Sequence, residues 1–164
     1  MTSLVKASEK DIPLIRNLAE ESWNSAYSRI LTQEQIAYML SQMYSAMEIS
    51  AHLQNPDYHY YLIFNDNKAV GFIGYEHHYE PKTTKLHRIY LIEEAKGKGC
   101  GKTALNFLKK KKKKKGDSRI ILNVNKENSA KSVYESQGFN IYEEGVFDIG
   151  NGFVMDDYLM ECIL

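Results

Sequence analysis

Apolar residues in the first third of the chain recur every three or four positions, which is the spacing of helices that pack on a core. Capping signals mark two helix starts: Ser8 is followed by Asp11, and Thr32 is followed by Gln35. Pro13 falls in the first turn of its helix, where its missing N–H does no harm. These patterns predict a short strand over residues 3–8 and helices over residues 8–27, 32–43 and 46–53.

From residue 58 the pattern changes to runs of aromatic and β-branched residues, which are typical of strands. Strands are predicted over residues 58–64, 69–80 and 84–92. A glycine-rich loop then leads into a helix within residues 93–108, followed by a strand over 119–124 and a helix over 127–138. Residues 139–164 predict a hairpin, because the pair Asn151-Gly152 lies between two strand-like segments.

This order of elements predicts one α/β domain over residues 1–164, of the α+β type, with a mixed sheet of about seven strands and four or five helices. Consecutive strands are expected to pair as antiparallel hairpins, whereas each of the two crossover helices requires parallel neighbours. A chain of 164 residues buries enough surface to fold without a disulfide or a metal ion.

The formal net charge is zero, but seven of the 21 basic residues form one lysine run over residues 109–115. Outside this run, 14 basic residues are outnumbered by 21 acidic residues, so most of the chain is mildly acidic. A nucleic-acid partner is therefore not expected. Cys100 and Cys162 are too few and too far apart for a disulfide framework or a metal site. The chain lacks a long apolar run and the apolar core of a secretory signal, so we expect no membrane partner and a cytoplasmic location.

The lysine run leaves three interpretations open. It continues the helix that follows the glycine-rich loop, and the next inward positions of that helix, 111 and 112, are both lysine. The run is therefore a polyanion-binding patch, a solvated helix end, or a segment that does not represent the natural sequence. We assign it no function.

The segment with the most chemical information is the loop from Lys96 to Thr103, which has three glycines at alternate positions. Glycines let the backbone approach a ligand, and the first N–H groups of the following helix favour a pyrophosphate. A Walker A loop requires glycine where Lys96 stands, and the strand over 119–124 supplies no aspartate for magnesium. A nucleotide-dependent phosphotransferase is therefore the weaker alternative, and the spacing also fails the Rossmann pattern.

Two segments in order resemble the GNAT superfamily of acyl-CoA-dependent N-acyltransferases. Lys96-x-x-Gly99-x-Gly101 resembles its signature Gln/Arg-x-x-Gly-x-Gly/Ala, with lysine in the first place. Residues 128–139 resemble its second signature, a helix with a tyrosine followed by Gly-Phe, and residues 87–92 its central strand. The layout matches over nearly the whole chain, and the ending over 156–164 looks nearest to the bacterial spermidine/spermine-type branch.

The resemblance implies a GNAT fold whose central strand pair splays around the pantetheine arm of acetyl-CoA. It implies transfer of the acetyl group to a primary amine by direct attack, through a tetrahedral intermediate and without a metal. Backbone groups of the strand would contact the arm, and loop amides would hold the pyrophosphate. The cofactor-binding residues so implied are Leu91, Ile92, Lys96, Gly97, Lys98, Gly99, Cys100, Gly101, Lys102, Thr103 and Asn128, the last also as a helix cap.

Tyr134 occupies the position of the family's general acid, which protonates the departing thiolate. His87 stands near the position of an acidic residue that related enzymes often have on the central strand, so it is the candidate base. Glu76, His77 and His78 compete with it. Cys100 is interpreted as a small loop residue, because the family's mechanism uses no acyl-cysteine.

The acceptor is left open among a polyamine, another small amine, an amino acid, and a protein N-terminus or lysine. Aromatic and acidic residues of the first helices could hold a cationic amine, or could be core and solvated surface. A non-catalytic acyl-CoA-binding module is the alternative from another class. Dimers are common in the family, so a homodimer is an expectation by analogy.

Overall fold

The structure, a computed structural model, describes residues 1–163 apart from the side chain of residue 114. Seven strands form one sheet in the order β1-β2-β3-β4-β5-β7-β6. The strands are β1 (Thr2–Lys6), β2 (Tyr58–Asn65), β3 (Lys68–Glu80), β4 (Thr83–Leu91), β5 (Arg119–Asn125), β6 (Asn140–Gly150) and β7 (Phe153–Ile163). The helices are α1 (Ile12–Tyr27), α2 (Gln33–Met43), α3 (Ala46–Gln54), α4 (Cys100–Lys114) and α5 (Ala130–Ser136). The predicted fold class and mixed sheet are confirmed.

Local capping explains where the first helices begin. The Ser8 N–H donates to Asp11 Oδ2 at 2.9 Å, which opens a short 3-10 turn before α1. Thr32 Oγ1 accepts from the Gln35 N–H at 3.1 Å and starts α2. The sequence therefore located both starts, although a 3-10 turn precedes the first helix.

Helices cover both faces of the sheet. Tyr60 and Tyr61 are successive residues of β2, so their side chains point to opposite faces. Tyr60 packs with Phe72 on the face covered by α1 to α3, where Trp23 is 1% exposed. Tyr61 packs against Phe107 of α4 on the other face, with ring centroids 4.7 Å apart. Within residues 1–163, no helix has the length and apolarity needed to cross a membrane.

The connection through α5 differs from the prediction. We expected both crossover helices to join neighbouring parallel strands, and β4 and β5 do pair in parallel. The strand that follows α5 is not a neighbour of β5, because β7 lies between β5 and β6 and pairs antiparallel with both. The C-terminal hairpin therefore inserts its second strand into the sheet and leaves β6 at the edge.

The parallel pair separates soon after it forms. Only Thr83, Thr84 and Lys85 pair with residues 119–121, although β4 continues to Leu91 and β5 continues to Asn125. Beyond these three pairs the strands diverge, and backbone groups on their facing edges have no partner in this ladder. The splay implied by the family resemblance is present.

The lysine run forms the last turns of α4, with the side chain at 114 outside the described part. Lys112 is only 2% exposed, and its Nζ donates to the Asp117 carbonyl oxygen at 3.1 Å. Burial lowers the pKa of Lys112. A lysine fits this inward position by burying its aliphatic stem, so the helix geometry does not require an apolar residue there.

Replacing Gly71 by alanine is expected to destabilise the protein by about 3 kcal/mol. A Cβ at this position would overlap the backbone carbonyl oxygen of Tyr90 and lie 2.8 Å from Leu91 Cδ2, so β3 and β4 would have to separate. The matched control is Gly101→Ala, where the nearest atom, Leu91 Cδ1, is 3.8 Å from the new Cβ. Denaturant unfolding measures both variants, and equal stabilities would contradict the close packing of β3 on β4.

Candidate functional site

The splay opens a cleft of about 580 Å³ between β4 and β5. Its walls are residues 86–91 of β4, residues 122–124 of β5, the loop before α4 and one side of α5, and it reaches Tyr27 of α1. Ten of the residues singled out from the sequence line it: His87, Leu91, Lys96, Gly97, Gly99, Cys100, Gly101, Lys102, Asn128 and Tyr134. Ile92, Lys98 and Thr103 are not among its lining residues.

The β4 backbone offers hydrogen-bonding groups to the cleft. The Ile92 N–H donates to the Val70 carbonyl oxygen at 2.9 Å, so the amide of Ile92 points towards β3. Amides alternate in direction along a strand, so those of Leu91 and Ile89 face away from β3 and into the cleft. The predicted backbone role therefore suits Leu91, whereas the N–H of Ile92 is already used by Val70.

The loop before α4 places unpaired amides at one end of the cleft. Gly97 and Gly99 have φ angles of 78° and 80°, a left-handed conformation that favours glycine. The N–H groups of residues 100–102 open α4 and have no acceptor within the helix, so they can bind anionic oxygens. Thr103 differs from the prediction, because its N–H donates to the Gly99 carbonyl oxygen at 3.0 Å.

Other loop side chains are already engaged or lie outside the cleft. Lys96 Nζ forms an ion pair with Glu93 Oε2 at 3.2 Å, and Lys98 is exposed. Cys100 is 1% exposed, with its Sγ 3.5 Å from Thr2 Oγ1 of β1. The thiol is therefore part of the packing between α4 and the sheet.

Tyr134 lies on α5 with its ring edge-to-face against Phe139, at 5.9 Å between centroids. Burial, and secondarily the charge that Tyr27 would carry, raises the pKa of Tyr134 well above its usual value. The phenol is therefore neutral near pH 7 and can donate a proton or a hydrogen bond into the cleft.

Asn128 links α5 to α1. Its Oδ1 accepts from the Ala130 N–H at 2.9 Å, and its Nδ2 donates to Tyr27 Oη at 3.1 Å. The N-cap position of α5 is Ser129, so the prediction that Asn128 is the cap is displaced by one residue. The Asn128 side chain nevertheless satisfies an amide of the first turn.

His87 is the extra residue of a β-bulge in β4. Arg88 pairs with Gly74 and Leu86 pairs with Tyr75, so His87 has no residue opposite it in β3. Its ring stacks on Tyr58 with centroids 5.0 Å apart.

His87 also contacts a carboxylate, since its Nε2 lies 3.0 Å from Glu76 Oε1. Burial and the charges of Lys85 and Arg88 lower the pKa of His87 to about 3, so the ring is neutral at pH 7. Burial and the charge of Asp57 raise the pKa of Glu76. A neutral ring that donates from Nε2 to this carboxylate leaves Nδ1 as a hydrogen-bond acceptor.

His77 and His78, two other candidate bases, lie away from the cleft. His78 Nδ1 lies 2.9 Å from Asp117 Oδ1, and His77 Nδ1 lies 3.0 Å from Thr84 Oγ1. Neither histidine lines the cleft. Their contacts tie β3 and β4 to the loop before β5.

Asp157 is a candidate that the sequence interpretation missed. It lies on β7 opposite Asn125, is 7% exposed, and its Oδ1 has no hydrogen-bond partner among the described residues. Burial raises the pKa of Asp157 to about 6, and contact with Asn123, a residue of the cleft wall, opposes that shift. The available signal was an aspartate in the buried phase of an alternating strand, two residues after Met155.

Comparison with known proteins agrees with this geometry. Residues 13–139 match the family model described as "Acetyltransferase (GNAT) family". A spermidine N(1)-acetyltransferase of Thermoplasma acidophilum is 31% identical over 156 residues, covering 92% of this chain and 93% of the relative.

Two solved structures extend the comparison. The PaiA N-acetyltransferase from Thermoplasma acidophilum, in complex with coenzyme A, aligns with a TM-score of 0.85 at 28% identity, covering 100% of this chain and 99% of that one. The ribosomal-protein-S18-alanine N-acetyltransferase from Escherichia coli shares the fold, with a TM-score of 0.74 at 17% identity, covering 99% and 94% of the two chains. The chain therefore belongs to the GNAT acetyltransferase family, and it is an acyl-CoA-dependent N-acetyltransferase.

Proposed function

We propose that the protein transfers the acetyl group of acetyl-CoA to a primary amine by direct attack, in the cleft between β4 and β5. The observation that carries this proposal is the splay itself, which leaves the Leu91 amide and the first amides of α4 facing one continuous cleft. When bound, acetyl-CoA supplies an activated acyl group as a thioester. The coenzyme A complex of PaiA, at 28% identity, supports the same ligand here.

The chain's own groups fit the two ends of such a ligand. The N–H groups of residues 100–102 and the side chain of Lys102 would hold the pyrophosphate. The Leu91 N–H would pair with the pantetheine arm or donate to the carbonyl oxygen that gains charge during attack. The amide assignments depend on backbone direction and not on side-chain identity, so they tolerate lysine in the first place of the signature.

Tyr134 is proposed as the general acid. Its neutral phenol lies in the cleft wall, and Phe139 and the surrounding packing hold the ring in place. Protonation of the departing thiolate makes it a better leaving group.

Two groups are candidates for the base that takes the proton of the attacking amine. His87 lines the cleft and presents Nδ1 while Glu76 holds Nε2. Asp157 does not line the cleft itself but contacts Asn123 of its wall, and it has an unpartnered buried oxygen and a pKa of about 6. A base is most effective when its pKa lies near the working pH, so Asp157 is favoured and His87 is the alternative.

The acceptor is proposed to be a primary amine from the classes left open by the sequence. The relative named as a spermidine acetyltransferase supports a small amine. We also keep as proposals the single domain over residues 1–164, the cytoplasmic location and the homodimer.

An amine panel with acetyl-CoA tests the proposed function, with release of free coenzyme thiol as the readout. We expect acceptor-dependent release with at least one primary amine and heat of binding for acetyl-CoA in calorimetry. Binding of acetyl-CoA without release for any small amine, peptide N-terminus or lysine peptide would favour the non-catalytic module. A lack of binding would remove the assignment of the cleft.

Tyr134→Phe is expected to lower kcat about 100-fold while leaving the affinity for acetyl-CoA within about twofold, because only proton donation is removed. Tyr142→Phe is the control, since Tyr142 is exposed and does not line the cleft. Steady-state kinetics and calorimetry measure the two effects. An unchanged kcat would remove Tyr134 from the mechanism.

Asp157→Asn is expected to lower kcat about 100-fold, and His87→Gln less than about threefold. If Asp157 is the base, wild-type kcat falls as the pH falls through about 6, because the carboxylate becomes protonated. His87 as the base would instead give no acidic limb between pH 5 and 7, because its pKa is about 3.

A thermal unfolding control separates catalysis from stability. The folded pKa of Asp157 is raised above its usual value to about 6, so its ionisation opposes folding as the pH rises through this range. Asp157→Asn should therefore unfold at no lower temperature than the wild type at pH 7. A large effect of His87→Gln with none of Asp157→Asn would transfer the base role to His87.

A further inference from the structure

Arg88 is a buried cation without an ionic partner. Arg88 is 7% exposed, and no carboxylate of the described residues lies within ion-pair distance of its guanidinium. Its Nη1 donates to Tyr60 Oη at 2.7 Å, and its Cζ lies 4.5 Å from the centroid of the Tyr44 ring. A guanidinium has five N–H donors, so most of its hydrogen-bonding capacity is not used by these contacts.

A hydrogen-bonded route from Arg88 to a carboxylate passes through two neutral side chains, Tyr60 and His52. Tyr60 Oη lies 2.9 Å from His52 Nδ1, and His52 Nε2 lies 3.3 Å from Glu48 Oε1. Burial lowers the pKa of His52, so its ring is neutral and accepts from the Tyr60 hydroxyl. This series of hydrogen bonds orients the Tyr60 hydroxyl to accept from the Arg88 N–H, but it does not neutralise the charge of Arg88.

The backbone is built to present Arg88 to the cleft. The bulge at His87 shifts the register of β4 so that Arg88 lies directly opposite Gly74 of β3. A Cβ on Gly74 would lie 3.1 Å from Tyr60 Cε1, so the absence of a side chain lets Tyr60 reach across β3 to Arg88. Arg88 itself lines the cleft between β4 and β5.

Among the described residues, no carboxylate lines the cleft around Arg88. Its lining includes the cations Arg88, Lys96 and Lys102, and no aspartate or glutamate of the described chain. The two lysines lie on the loop before α4, where the proposed pyrophosphate site is. Arg88 precedes Leu91 by three residues, which is about 10 Å along a strand, so its charge lies towards the other end of the cleft.

A donor without a partner lies in the same cluster. The hydroxyl of Tyr58 is buried and has no hydrogen-bond partner among the described residues. Its ring lies 5.3 Å from that of Tyr60 and 5.0 Å from that of His87, between centroids. A buried hydroxyl without a partner, beside a buried guanidinium with unused N–H donors, indicates a ligand that brings acceptors with it.

We propose that Arg88 binds an anionic group of the acceptor, so that the amine acetylated by this protein also carries a carboxylate. This inference rests on the proposed acetyl transfer and narrows its acceptor to amino acids and related amino carboxylates. A guanidinium matches a carboxylate through two parallel hydrogen bonds, which gives both affinity and orientation. A polyamine would instead place its positive charges against an uncompensated cation.

Matched acceptor pairs test the proposal, with coenzyme thiol release as the readout. The pairs are L-leucine with 3-methylbutylamine and 5-aminopentanoate with pentylamine, and spermidine is the polyamine. We expect kcat/KM to be about 100-fold higher for the carboxylate member of at least one pair. Arg88→Gln should remove this preference by lowering kcat/KM for the amino carboxylate about 100-fold while changing that of the plain amine less than about threefold.

Two further variants keep the test independent of folding. Arg88→Lys retains the buried charge but not the paired donors, and we expect it to lose about tenfold on the amino carboxylate, mainly through KM. Arg119→Gln is the control, because Arg119 is paired with Glu161 at 2.8 Å and does not line the cleft. Thermal unfolding of each variant identifies any loss of fold.

A binding measurement separates this inference from the proposed function. N-acetyl-L-leucine is expected to bind the coenzyme A-loaded protein in calorimetry, and Arg88→Gln should weaken that binding about 100-fold. Equal use of amines with and without a carboxylate, or an equal loss on all acceptors in Arg88→Gln, would overturn the inference and leave acetyl transfer intact. If no amine is acetylated, the proposed function fails, and absence of N-acetyl-L-leucine binding then overturns the inference as well.

Discussion

The early end of the β4–β5 ladder is the constraint on which the site depends. Three residue pairs join the strands, and the remaining facing edges have no strand between them to satisfy their backbone groups. Buried N–H and carbonyl groups require partners, so under the proposed function an extended ligand between the strands would supply what a continuous sheet would have supplied. The Leu91 amide, the loop amides and the Tyr134 phenol are useful together because they surround this one gap.

The features found from the sequence are those that local rules determine. Helix starts at Ser8 and Thr32 follow from side chains that bond their own first turn, within three residues of chain. Gly97 and Gly99 adopt left-handed angles that few other residues accept, so their pattern indicated the loop before any contact was known. The antiparallel pairing of β2 with β3, of β3 with β4 and of β6 with β7 also followed, because hairpins join neighbours along the chain.

The features missed are those that depend on partners far apart in sequence. The insertion of β7 between β5 and β6 is set by sheet pairing, which the hairpin signal alone does not specify. The positions of His87 and Arg88 depend on a bulge that is visible only once β3 and β4 are in register, and the neutral state of His87 depends on burial and on the charges of Lys85 and Arg88. The buried position of Lys112 was also missed, because its ammonium donates to the carbonyl oxygen of Asp117, which lies beyond the end of α4.

Asp117 holds the junction from which the two strands diverge. Its Oδ2 accepts from Thr84 Oγ1 at 2.6 Å and from the His78 N–H at 3.0 Å, beside the three paired residues of β4. The angle between the strands is thus set at their closed end, by a carboxylate that does not line the cleft. The width of the cleft therefore depends on a residue outside it, while β3 and β7 support the diverging parts of β4 and β5 along their other edges.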